Sequence, residues 1–107
     1  MNAESIGKLT ELVKVKCKIT WSDEMTSGEI EGIVKDAVPS IMHRLGIRDC
    51  DEGDILEPGM TRRLFLEYCQ YVKHNMAHEF TKNYKEEILM QRHRYEVKYG
   101  KEEAKKL

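Results

Sequence analysis

Apolar positions recur along most of the chain at spacings of three and four, the period of a helix with one buried face. The clearest run is Ile30, Ile33, Val34, Ala37, Val38, Ile41, Met42 and Leu45. Ser22 or Asp23 is placed to cap its start, and Asp23, Glu24 and Glu29 suit the positive end of the helix dipole. Leu45-Gly46-Ile47 reads as a Schellman ending with Gly46 in the left-handed position. Pro39 interrupts this run; it lacks an N–H and crowds the carbonyl of Lys35, so a kink near Val38 is expected. A second run, Leu64, Phe65, Tyr68, Cys69, Val72 and Met76, predicts a helix from Thr61 to about His78. A third places Tyr84, Ile88, Leu89, Tyr95 and Tyr99 near one face of a helix over about Thr81 to Tyr99, closed by Gly100, with Phe80 as a pivot before it.

The first segment carries two patterns. Ile6, Leu9, Val13 and Cys17 have helical spacing, whereas Val13, Val15, Cys17, Ile19 and Trp21 alternate with Lys14, Lys16, Lys18 and Thr20 as in a half-buried strand. No other segment alternates and could pair with such a strand, so a helix from Ser5 to Lys16 with an extended exit to Trp21 is expected. Residues 47–60, with Asp49, Asp51, Gly53, Asp54, Pro58 and Gly59, read as a long loop pinned by Ile55 and Leu56. The expected architecture is all-α: one small domain of about four helices over residues 1–107, with a long C-terminal helix and a charged tail over 96–107.

A chain of 107 residues is one domain's worth, and 40% apolar with 35% charged residues is a globular composition. No run approaches the roughly 18 apolar residues of a membrane helix, and Met1 to Lys8 has no apolar signal region. No membrane association is expected. Cys17, Cys50 and Cys69 are odd in number with no CxxC pair, which points to a reducing compartment.

The net charge of -1 is an average over unlike segments. Residues 1–46 hold six basic against seven acidic side chains, residues 47–60 one against five, and residues 61–107 eleven against seven. Such segregation fits solvated faces, and it equally fits a contact between copies. Arg62 and Arg63 sit in a first helical turn, the unfavourable end for a cation. A contact with the acidic residues Asp49, Asp51 and Asp54 of a neighbouring subunit would account for them, as would ordinary surface placement. The mean charge excludes a uniformly basic nucleic-acid binder.

Chemistry-bearing patterns are weak. Asp49-x-Asp51-x-Gly53-Asp54 resembles the start of a calcium loop, but the sixth and twelfth places hold Asp54 and Met60 where Gly and Glu are needed. His74 and His78 have ligand spacing without the Glu of a zinc protease. Cys69 lies on an apolar stripe and Cys50 among acids, so neither suits a nucleophile. No paired carboxylates, phosphate loop or Ser/His/Asp pattern is present. Neither catalysis, a metal nor a cofactor is expected.

Three strings carry a resemblance: Lys16-Cys17-Lys18-Ile19-Thr20-Trp21-Ser22-Asp23-Glu24 leading into Glu29-Ile30, the ending Leu45-Gly46-Ile47, and Leu64 to Asn75. Together, over roughly residues 5–95, they resemble the small head–tail connector (adaptor, or head-completion) proteins of tailed bacteriophages and prophages. Pro39 departs from the regular helix usual in that family. The resemblance implies a structural, non-enzymatic virion protein, assembled in the host bacterial cytoplasm and located in the virion neck. It would form a homo-oligomeric ring beneath the portal, bind a stopper or tail-completion protein, and pass packaged DNA without reading sequence. Under it, Tyr95, Tyr99, Arg92, Arg94, Lys98 and Lys101 are expected at the portal or ring interface. Asp49, Asp51, Asp54, Arg62 and Arg63 are expected to form a charge contact between subunits, and the tail to order on assembly. Two other readings stay open: a small helical DNA-binding or packaging accessory protein, and another neck or tail-completion protein of similar fold.

Overall fold

A computed structural model describes residues 1–18 and 24–106. It is all-helical among the described residues: α1 (Ala3–Lys16), α2 (Glu24–Leu45), a 3-10 segment (Asp49–Ile55), α3 (Met60–Lys73), α4 (Ala77–Asn83) and α5 (Lys85–Lys106). The expected exit is not extended at its start: Cys17 and Lys18 close α1 in a turn, with Lys18 at φ +59°; the rest of the exit to Trp21 and the capping by Ser22 or Asp23 lie outside the described residues.

In α1 the helical period wins over the alternating one. Leu9 and Val13 are fully buried, whereas Val15, which alternation would send inward, is 75% exposed. Asn2 caps the start, its Oδ1 accepting from the Ser5 N–H at 2.8 Å. The stripe packs on α2, which contributes Ile30, Val34, Ala37, Val38, Ile41, Met42 and Leu45 to the core. Complete burial of a Leu or Ile stabilises by roughly 1.5–3 kcal/mol. Several such residues on one stripe outweigh the roughly 3 kcal/mol of an interior proline, and α2 runs as one helix through an exposed Pro39.

α2 ends as the sequence predicts. Gly46 has φ +69°, the Ile47 N–H donates to the Met42 carbonyl at 2.9 Å, and the Gly46 N–H donates to that of His43 at 3.3 Å. These are the two bonds of a Schellman motif. The same device ends α3 earlier than expected. Asn75 has φ +58°, the Met76 N–H reaches the Tyr71 carbonyl at 2.8 Å, and the Asn75 N–H reaches that of Val72 at 3.0 Å. Asn tolerates the left-handed conformation better than other residues with a side chain, so the helix expected to continue to His78 stops at Lys73.

Residues 47–60 are more ordered than a loop: Asp49–Ile55 forms two 3-10 turns, and Ile55 is fully buried against α3. α4 turns the chain around Phe80, the expected pivot. Its ring is fully buried and lies 5.1 Å, 5.8 Å and 5.2 Å from the rings of Tyr68, Tyr71 and Tyr84. α5 then packs along α2, α3 and α4. It does not stop at Gly100 but continues to Lys106, so the segment read as a charged tail is helical.

Candidate functional site: the two faces of the C-terminal helix

α5 meets the body through a single row: Ile88, Gln91, Tyr95 and Tyr99 are its buried residues, spaced by three and four. Leu89, expected on the same face, points outward and is 55% exposed, while the polar Gln91 takes the inward place.

A chain of hydrogen bonds, buried in its middle, explains Gln91. Its Nε2 donates to Thr61 Oγ1 at 3.0 Å, and Thr61 Oγ1 lies 2.9 Å from the Tyr95 hydroxyl. Tyr95 donates to Asp54 Oδ2 at 2.8 Å, so its oxygen is left to accept from Thr61. At the other end Arg94 Nη1 donates to Gln91 Oε1 at 3.1 Å. The chain therefore runs with one polarity, from the Arg94 guanidinium through Gln91, Thr61 and Tyr95 to the Asp54 carboxylate. Each bond in such a series polarises the next.

One turn further on, Asp51 receives both Lys98 Nζ at 2.7 Å and the Tyr99 hydroxyl at 2.8 Å. The Arg48 N–H donates to the Tyr99 oxygen at 2.9 Å, and the Arg48 guanidinium lies over the Tyr99 ring at 4.3 Å. Arg48 also pairs with Glu103. The Tyr95 and Tyr99 rings stack at 5.9 Å. The bond from Lys98, with a further one from Tyr99, holds the Asp51 carboxyl below the usual carboxylate range. Burial, reinforced by the bonds to Asp54 and Asp51, pushes the Tyr95 and Tyr99 hydroxyls up to about 12.

The predicted site residues thus divide. Tyr95 and Tyr99 were expected to dock on a partner; they are buried in the subunit's own core and fasten α5 to the 3-10 segment. Asp51 and Asp54 were expected to reach a neighbouring copy, yet both are engaged within the chain, and Lys98 is the cation that Asp51 binds. Arg62 is half-buried and donates to the Leu56 carbonyl at 3.4 Å, where it closes the turn before α3. Asp49 and Arg63 are exposed, as are Arg92, Arg94 and Lys101 on α5. One element of the segregated charge, the Asp51–Lys98 pair, is therefore complementarity within a single fold.

The opposite side of α5 was not anticipated. Leu89, Met90 and Val97 are 55%, 65% and 41% exposed, so three of the larger exposed apolar side chains lie on this one helix. The signal was present in the sequence as a second row, Leu89, His93, Val97, Gly100 and Ala104, also spaced by three and four.

Cys69 is fully buried, which pushes its thiol up to about 12, and burial raises that of Cys17 as well. Among the described residues no group of three His, Cys, Asp or Glu is placed to hold a metal ion, and no helix is long and apolar enough to cross a membrane. Comparison with protein-family models, curated proteins and solved structures returns no match to this chain.

Proposed function

We propose that this chain is a structural subunit of a phage head–tail connector, forming a ring between the portal and the stopper or tail-completion proteins. The resemblance of its three sequence strings to that family is the observation that carries the reading. The fold is compatible with it: α1, α2 and α3 make a stable body, and a 22-residue helix is fastened to that body along one edge only. A ring subunit must offer surfaces to its neighbours and to the portal. The outer side of α5 suits such a contact, with Leu89, Met90 and Val97 among the exposed cations Arg92, Arg94 and Lys101. This replaces the aromatic docking face expected from Tyr95 and Tyr99. Acidic residues interleave with the cations, so packaged DNA could pass such a surface without adhering to it.

A competing role as a DNA-binding packaging accessory predicts different behaviour. Native mass spectrometry of the protein with its portal should show a cyclic assembly on the portal, and a mobility-shift assay at moderate salt should show no retarded duplex DNA. A monomer that retards DNA and ignores the portal would overturn the connector reading.

A further inference from the structure

We propose that the outer face of α5 is a self-association surface, on which the α5 of a second copy of this chain lies antiparallel. At 100° per residue, Leu89, His93, Val97, Gly100 and Ala104 fall within one narrow sector, with Met90 at its edge. This sector is roughly opposite the buried row of Ile88, Gln91, Tyr95 and Tyr99, so the subunit's body does not obstruct it. All of its members are exposed.

Shape selects the occupant. The row is bulky at one end, Leu89 and Met90, and small at the other, Gly100 and Ala104. A reversed copy sets Met90 over the Gly100 of its partner and His93 beside the partner's Val97, in layers repeated by the two-fold axis. Apart from its two chain neighbours and its own helix backbone, nothing lies within 4 Å of the Cβ position at Gly100, so that space is open to a neighbour. A parallel copy would instead set Gly100 on Gly100, leaving a gap, and His93 on His93.

Charge supports the same pairing. One flank of the row runs from basic to acidic, Lys85 and Arg92 and then Glu96; the other carries Glu87, Arg94 and Lys101 in that order. Among the described residues none of these six forms an ion pair within the chain. Reversing one helix brings Arg92 beside the partner's Glu96 and Glu87 beside the partner's Lys101, each twice by the two-fold, against one Arg94–Arg94 approach at the axis. The macrodipoles of the two helices also oppose each other in this arrangement.

One helix seam is smaller than the roughly 1,200 Å² of a standard interface, so the dimer should be weak and concentration-dependent. The proposal concerns the free chain and uses the face assigned above to the ring or portal contact, so the dimer must separate before a subunit joins a ring. The test combines sedimentation velocity over a concentration series with disulfide trapping in a Cys50→Ser background. Met90→Cys and Gly100→Cys are both exposed positions, so the fold is spared. Mixing the two variants under mild oxidation should give the mixed disulfide dimer, and neither alone should give its own dimer in comparable yield. Val97→Asp should weaken association by at least about tenfold. A sedimentation coefficient that stays monomeric throughout the series would overturn the proposal and leave the face to a different partner. Preferential Met90–Met90 trapping would overturn the antiparallel arrangement, and dimers untouched by Val97→Asp would place the contact elsewhere.

Discussion

Replacing Tyr95 with Phe removes one oxygen from a site where it has two partners, and the ring is only 7% exposed. The hydroxyl donates to Asp54 at 2.8 Å and lies 2.9 Å from Thr61. A hydrogen bond to a charged acceptor contributes about 1.5–3 kcal/mol, and a buried group left without its partner costs a further 1–3 kcal/mol. Asp54 is half-buried, so water can partly replace the tyrosine there; Thr61 is buried and water reaches it less readily. The expected net loss is about 2 kcal/mol, which in a domain of this size lowers Tm by on the order of 10 °C. Urea unfolding followed by circular dichroism measures the loss directly. Tyr71→Phe is the internal control: its hydroxyl accepts one bond from Asn83 at 3.0 Å in an exposed setting, and its loss should cost less than about 0.5 kcal/mol. A double-mutant cycle of Tyr95→Phe with Asp54→Ala should show a coupling of about 1 kcal/mol. If Tyr95→Phe costs no more than Tyr71→Phe, or the cycle is additive, the polar chain does not hold α5 to the 3-10 segment.

At the alkaline end, Tyr84, Tyr95 and Tyr99 are each raised to about 12. The folded state therefore keeps protons that the unfolded chain releases near pH 10, and stability should fall as pH rises from about 10 through about 12. Thermal midpoints across that range should fall less steeply in Tyr95→Phe than in the parent. At the acid end, the depressed Asp51 carboxyl contributes stability that is complete above the usual carboxylate range and lost as pH falls through its lowered folded value. Acid titration of Asp51→Asn should lack that component. Gly46→Ala places a side chain at φ +69° and should destabilise by about 1 kcal/mol, whereas Asn75→Gly at φ +58° should be neutral or stabilising; chemical denaturation checks both. Amide hydrogen exchange over residues 96–107 should be fast in the free subunit beyond the Arg48–Glu103 contact and slow in an assembled ring. Equal rates in the two states would exclude the end of α5 from the assembly contact.

The sequence made the helical class and the α2 ending legible because both rest on local rules. Apolar residues at helical spacing need a buried face, and Gly46 needs no neighbour to adopt its conformation. The break at Asn75 obeyed a rule of the same kind, but Asn carries it more weakly than Gly, and the apolar run through Met76 masked it. Gly100 misled for the opposite reason. A glycine permits a helix end without requiring one, and in α5 the helix continues past it to Glu103, which pairs with Arg48. The inward placement of Gln91 and the burial of Tyr95 and Tyr99 were not legible, since their partners, Thr61, Asp54 and Asp51, lie 30 to 48 residues away in the chain. A segregated charge pattern looks the same in one dimension whether its halves meet within a subunit or across two. Only the fold shows Asp51 bound to Lys98.

The connector reading is tested most directly by cryo-electron microscopy of the purified chain mixed with the portal of the same virus or prophage. A closed ring of subunits on the tail-facing end of the portal is expected, its channel continuous with that of the portal. Portal particles that remain bare at saturating concentrations of folded protein would contradict it.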